Sequence, residues 1–272
     1  MVAPLHRHIS LWVLALTAAA GCKAEPDRRS VSVCDDANEW PPYTYFERHQ
    51  GQRSDHLTGF SVELLRQILG KHGIAYRIEL LPWKRCLESV ARGEEHLMLL
   101  NATRNPVREQ EYLFSLPTYS TRTVYFWSRR VHPQGLKIDS QSDLRRYRIG
   151  GVHGYTYSQL DQIDMASLTR AMTYANLVQM LHRDRIDVLL VGEEVFQSLS
   201  SLGGYDFAGD AELGRAPLPV REPNRFHMLF SRKNPRGAEL QALVNREIEA
   251  LQRSGELRAL LARHVGADPA PP

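Results

Sequence analysis

The stretch Leu80–Tyr119 reads LLPWKRCLESVARGEEHLMLLNATRNPVREQEYLFSLPTY. It spells strand, helix, strand, turn, capped helix and extended exit. Arg85 to Arg92 is helical and ends at Gly93, the residue type that tolerates the left-handed stop. Leu97 to Leu100 is an unbroken apolar run of strand length. Asn105-Pro106 supplies an N-cap and a proline at the first helical position. At the turn between strand and helix stand Thr103 and Arg108. A guanidinium offers paired, planar donors to a carboxylate. A fresh helix start adds backbone N–H groups that favour the same negative charge. The turn is therefore a candidate site for a small anion.

The same alternation continues on both sides. Ser30 to Cys34 and Tyr76 to Leu81 read as strands. Between them Gly59 to Leu69 carries apolar residues at helical spacing, stopped by Gly70 and Gly73. A βαβαβ order implies an α/β unit with a mostly parallel sheet and helices on both faces. Thr123 to Trp127 is extended and leads out of this unit. A second unit follows: strand Tyr147 to Val152, the turn Gly154-Tyr155-Thr156-Tyr157, helix Leu177 to His182 and strand Ile186 to Val191. Gly192-Glu193-Glu194 opens another helix. The proline-rich run from Ala216 to Pro223 reads as a return crossing, before a strand from Arg225 to Ser231. Glu239 to Val265 is amphipathic and divided at Gly255.

Residues 1–21, MVAPLHRHISLWVLALTAAAG, hold no acid, one arginine and an apolar run ending in small residues. This is the pattern of a secretory signal, too short to span a bilayer. Cys22 follows Ala19-Ala20-Gly21, an arrangement that resembles a bacterial lipobox, so lipidation at Cys22 is expected, against ordinary cleavage nearby. The destination is the periplasm, with a possible lipid anchor. The remaining chain of about 250 residues is long enough for two compact lobes. Hydrophobic content is 43% and charged content 24%, values of a globular chain rather than a disordered one. Net charge is +3, with no basic stripe interleaved with aromatics, which argues against nucleic acid. No nucleophile elbow, phosphate loop or dinucleotide loop is present, and the 11 histidines lack metal-ligand spacing. No cofactor or metal is expected.

There are 3 cysteines. With Cys22 lipidated, Cys34 and Cys86 remain as an even pair in an oxidising compartment. Both lie at carboxyl ends of strands in a βαβ unit, on one rim, so a disulfide is expected. Two buried thiols are the alternative.

The Leu80–Tyr119 block resembles the central segment of family 3 bacterial extracellular solute-binding proteins, the polar amino-acid binders of ABC importers. There a strand is followed by a Thr, a few residues, an Arg on a short helix, and FS-x-P-Y. The resemblance runs over about residues 30–266. It implies a type II periplasmic-binding-protein fold: two α/β lobes, two hinge crossings and a cleft between them. Lobe I would span 30–122 plus 224–266 and lobe II 128–216, with 267–272 frayed. It implies a non-enzymatic monomer that captures a small carboxylated solute, a polar or cationic amino acid, for an ABC permease. The ligand set carried over is Trp40, Trp83, Asn101, Thr103, Arg108, Tyr155 and Thr156. Trp40 can instead pack against Pro41 and Pro42, and from the residues alone Arg108 reads as a surface arginine paired with Glu109 or Glu111. Lys84 and Arg85 oppose the dipole of their helix, which an anionic ligand or simple solvation would relieve.

One departure stands out. Amino-acid binders of the family carry an Asp at the position of Gly192, where it holds the ligand's ammonium. Here the nearest acids are Glu193 and Glu194. Glu193 is the expected substitute; otherwise both only favour a helix N-terminus. Two rival functions share the resemblance. One is a cyclohexadienyl dehydratase-like enzyme with Glu193 as general acid. The other is a receptor that reports ligand to a membrane partner without transport.

Overall fold

The computed structural model describes residues 30–157, 160, 163–202, 205–219 and 223–266. The leader with Cys22 and the tail at 267–272 lie outside the described residues.

The chain opens with β1 (Val31–Asp36), a hairpin of β2 (Tyr45–His49) and β3 (Gln52–Thr58), and α1 (Phe60–Lys71). Then come β4 (Tyr76–Leu81), α2 (Trp83–Arg92), β5 (Met98–Thr103), α3 (Pro106–Glu111), β6 (Tyr112–Phe114) and β7 (Tyr119–Thr121). One residue later the chain enters a second group: β8 (Thr123–Ser128), β9 (Ile149–Val152), β10 (Thr169–Ala171), α4 (Tyr174–His182), β11 (Val188–Gly192), α5 (Glu193–Leu199) and β12 (Leu213–Pro217). It finishes with β13 (Asn224–Ser231), α6 (Pro235–Ser254) and α7 (Glu256–Val265).

These strands form two main sheets. The first is ordered β4-β1-β5-β13, with β6 and β7 both pairing with the far side of β13. β1 is parallel to β4 and β5, whereas β13 runs antiparallel to β5. The second is ordered β10-β9-β11-β8-β12. Its β9, β10 and β11 are parallel, and β8 and β12 are antiparallel additions. The chain passes from the first sheet to the second at Thr121–Thr123, and returns after Pro217 to β13. Thr123–Ser128 therefore does more than lead out of the first unit. It pairs with β11 and β12 inside the second sheet.

Local chemistry accounts for the elements. α1 buries Phe60, Val62, Leu64, Leu65, Ile68 and Leu69. Each fully buried aliphatic or aromatic side chain contributes about 1.5–3 kcal/mol relative to exposure. α2 ends at Gly93, whose φ of 73° is the left-handed conformation that glycine adopts without a Cβ penalty. The Asn105 side chain accepts from the Arg108 N–H at 2.8 Å and caps α3. Gly255, at φ 78°, divides α6 from α7. α7 returns to α1, where Glu63 takes Arg263 at 3.0 Å and His264 at 2.8 Å.

Cys34 on β1 and Cys86 on α2 are joined as a disulfide, their Cα atoms 5.7 Å apart. The bond closes a loop of 52 residues in sequence separation. By chain entropy such a crosslink stabilises by about 4 kcal/mol. It ties α2, and with it Trp83, to the strand that carries the cleft acids.

Candidate functional site

In open α/β sheets, ligands bind beyond the carboxyl ends of the strands. Both sheets turn those ends toward one cavity. From the first come Asp35 and Asp36 at the end of β1, Asn101 to Thr103 at the end of β5, and Trp40, Trp83 and Arg108 just beyond strands. From the second come Leu190 to Gly192 at the end of β11, and Tyr155 and Thr156 after β9. Crossing residues Thr121, Thr123 and Asn224 complete the floor, with Tyr174 and Phe226. The lobes touch across it. The Tyr155 hydroxyl donates to Asp36 Oδ2 at 2.6 Å, and the Thr103 and Thr156 hydroxyls lie 3.2 Å apart. Outside the cavity, Arg48 Nε on the hairpin donates to the Leu202 carbonyl at 3.2 Å. These contacts hold the two lobes together across and beside the cavity.

Arg108 is 6% exposed. Its Nη1 donates to the Thr103 carbonyl at 2.9 Å and to the Thr103 hydroxyl at 3.1 Å. The guanidinium carbon stands 5.6 Å from the centre of the Trp83 ring. All these partners are neutral. Burial depresses its pKa to about 10, with Tyr112 and Glu111 opposing the shift, so at neutral pH it keeps its proton. A buried cation held by neutral groups is the arrangement in which an incoming carboxylate gains most.

Asn101 works beneath the floor as a hub. Its Oδ1 accepts from the Ser61 hydroxyl at 2.6 Å and the Tyr119 hydroxyl at 2.9 Å. Its Nδ2 donates to Asp35 and to Thr44 Oγ1. Tyr119 in turn accepts from Trp40 Nε1 at 3.1 Å. A stack of Tyr43, Tyr119 and Phe226, with centroid steps of 3.7 and 4.7 Å, supports that tryptophan. Trp40 meets Tyr155 edge-on at 5.6 Å and Tyr174 at 6.5 Å. It lines the cavity and is not merely packed against its prolines.

Seven of the residues expected at the site, Trp40, Trp83, Asn101, Thr103, Arg108, Tyr155 and Thr156, line this cavity. Glu193 does not. Its carboxylate lies 3.6 Å from Arg122 Nε at the crossing and is 30% exposed. As the first residue of α5, it sits with its side chain at the hinge rather than in the cleft. Glu194 is buried beside the same arginine, at 3.5 Å, and also lies outside the lining. Burial raises its pKa. Lys84 is exposed and 3.8 Å from Glu88, and Arg85 is exposed; neither lines the cavity.

The acids that do line it are Asp35 and Asp36. Ending the first strand at Cys34 hid them, because aspartate disfavours strands and reads there as the start of a loop. β1 in fact continues through both, in parallel register with Leu80 and Leu81. Burial pushes the Asp35 carboxyl up to about 7, and the adjacent Asp36 adds to the rise. Asp36 is also raised by burial, against hydrogen bonds from Asn38 and Tyr155. Tyr174 and Phe226 joined the site without a sequence signal, since aromatics on a helix and a strand read as core. No metal-binding cluster occurs among the described residues.

A search of curated protein sequences found no match to this chain. Solved structures share the fold. The substrate-binding protein AbpA of an amino-acid ABC transporter from Streptococcus pneumoniae, bound to L-arginine, superposes with a TM-score of 0.67 at 19% identity. That match covers 86% of this chain and 94% of that one. The arginine-, lysine-, histidine-binding protein ArtJ from Geobacillus stearothermophilus gives 0.66 at 19% identity, covering 88% and 96%. A histidine kinase sensor domain with similarity to periplasmic binding proteins gives 0.68 at 18% identity, covering 89% and 98%. The family model of bacterial extracellular solute-binding proteins, family 3, matches residues 32–267. With nearly all of the described residues inside that match, and two sheets facing one cleft, the chain belongs to the family 3 bacterial extracellular solute-binding proteins.

Proposed function

We propose that this chain is a periplasmic receptor that closes two lobes on one small carboxylated solute, a polar or cationic amino acid, and presents it to an ABC importer. The observation that carries the reading is Arg108: a buried guanidinium in the cleft whose hydrogen-bond partners are the neutral oxygens of Thr103. The ligand carboxylate takes the remaining guanidinium donors, the Thr156 hydroxyl meets it from the opposite lobe, and Trp40 and Trp83 flank the body of the solute. The Glu193 that a dehydratase-like elimination would use as general acid sits at the hinge, which supports binding over that elimination. The solved relatives that bind arginine make cationic amino acids the first compounds to test.

A thermal-shift screen of the mature protein against amino acids and small organic acids tests this, since a ligand that binds only the native state must stabilise it. The expected result is a saturable rise for at least one carboxylated compound, lost in Arg108→Gln. A protein stabilised equally in wild type and Arg108→Gln would show that the cleft arginine is not the anchor.

A further inference from the structure

The cleft carries its negative charge on the first lobe, where two adjacent aspartates end β1, and these two differ. Asp36 has a donor on each oxygen: the Asn38 N–H on Oδ1 at 3.0 Å and the Tyr155 hydroxyl on Oδ2 at 2.6 Å. Asp35 is 1% exposed, and its Oδ2 accepts from Asn101. Its Oδ1 is buried and makes no hydrogen bond of normal geometry among the described residues, the Thr44 hydroxyl and the Asp36 N–H being the other donors near the carboxyl. A buried carboxylate oxygen without a donor costs free energy unless water, an ion or a ligand meets it. Both acids line the same cavity as Arg108, beside Trp40, Tyr155 and Tyr174.

We propose that Asp35 Oδ1 binds the cationic nitrogen of the ligand, taking over on the first lobe the role that an acid at Gly192 would fill on the second. The assignment builds on the reading of Arg108 as the carboxylate anchor, and it makes the ligand an amino compound rather than a plain organic acid. The residues around the site fit a cation. The groups facing Asp35 are Asp36 on its own strand, Thr44 in the following loop, Ser61-bound Asn101 on β5 and the Tyr119 hydroxyl on β7. None of these is a cation. Aromatic faces at Trp40 and Tyr174 add attraction for an ammonium or guanidinium.

A consequence follows for pH. Burial holds the Asp35 carboxyl up at about 7, so the free protein carries a proton there over part of the neutral range. A ligand cation binds the ionised form, and binding expels the proton. Between pH 6 and pH 8 the ionised fraction rises about tenfold for a group titrating near 7. Affinity for an amino compound should rise by the same factor.

Isothermal titration of wild type, Asp35→Asn and Arg108→Gln at pH 6 and pH 8 tests this. The probes are the protein amino acids and their matched 2-hydroxy acids, such as L-alanine and L-lactate. The expected wild-type result has three parts: an amino acid preferred at least tenfold over its 2-hydroxy acid, about tenfold tighter binding at pH 8 than at pH 6, and no such rise for the 2-hydroxy acid. Asp35→Asn should erase both the preference and the rise. Preference or pH dependence surviving in Asp35→Asn overturns the assignment, as does a wild type that binds neither class or both equally. Loss in Arg108→Gln with full retention in Asp35→Asn would defeat this inference and leave the carboxylate anchor standing. The opposite pattern would defeat the anchor and leave Asp35. The wild-type pH comparison holds even if Asp35→Asn folds poorly.

Discussion

At the residue scale, the cleft is built from charged groups held under strain of burial. Asp35 shows the cost most clearly. Its folded-state pKa of about 7 lies above the ordinary aspartate value of 3.8. The folded state therefore holds more protons than the unfolded one between those values, and stability must fall as pH rises through that window. Asp35→Asn should leave stability near pH 4 little changed and raise it at pH 8 by about 2–4 kcal/mol. Urea unfolding at the two pH values measures this; equal stability changes at both would show that the carboxyl is not desolvated. Glu193 is the contrasting acid. Paired with Arg122 at the crossing and part-exposed, it should be replaceable: Glu193→Gln is expected to change ligand affinity by less than about 1 kcal/mol, measured by titration against the wild type.

At the element scale, the disulfide and the cap on α3 position Trp83 and Arg108 on the first lobe's side of the cleft. Reducing Cys34–Cys86 should lower stability by about 2–4 kcal/mol and loosen α2, which carries Trp83. Denaturation with and without reductant, read by tryptophan fluorescence, gives the value; a change well under 1 kcal/mol would mean that the reduced chain keeps the same constraint. Asn105→Ala removes the side-chain acceptor of the Arg108 N–H and should cost about 1 kcal/mol. Strands and helices were legible where apolar periodicity and stop signals coincide. Tyr76–Leu81 has the expected bounds, and Gly255 divides the last helix where expected. β1 runs two residues past the end that its apolar pattern indicates, because Asp35 and Asp36 look like a loop start, so the cleft acids carry no local signal. Thr103 and Arg108 were legible because their turn chemistry is local, and Tyr155 only through the family resemblance. Tyr174, Phe226 and the Asn101–Tyr119–Trp40 chain were not, because partners such as Trp40 and Tyr119, 79 residues apart in sequence, meet only through the order of the strands. Glu193 was misplaced for a related reason: which way the first residue of a helix points depends on its approach to Arg122, which spacing does not encode.

At the scale of the whole molecule, two crossings, at Thr121–Thr123 and between Pro217 and β13, join two lobes that meet across the cleft through hydrogen bonds and through the contacts of Trp40 with Tyr155 and Tyr174. Tyr155–Asp36, Thr103–Thr156 and Arg48–Leu202 are the inter-lobe hydrogen bonds nearest the site. Hydrogen bonds contribute about 1 kcal/mol each, so a ligand bridging both lobes should shift the balance toward closure. The central claim is that closure is driven by a carboxylate reaching Arg108. The most direct measurement compares a bound amino acid with its primary amide, which keeps the ammonium and removes the negative charge. On this account the amide binds wild type weaker by about 2–5 kcal/mol, and Arg108→Gln no longer distinguishes the two. Equal affinity of acid and amide for the wild-type protein would contradict it.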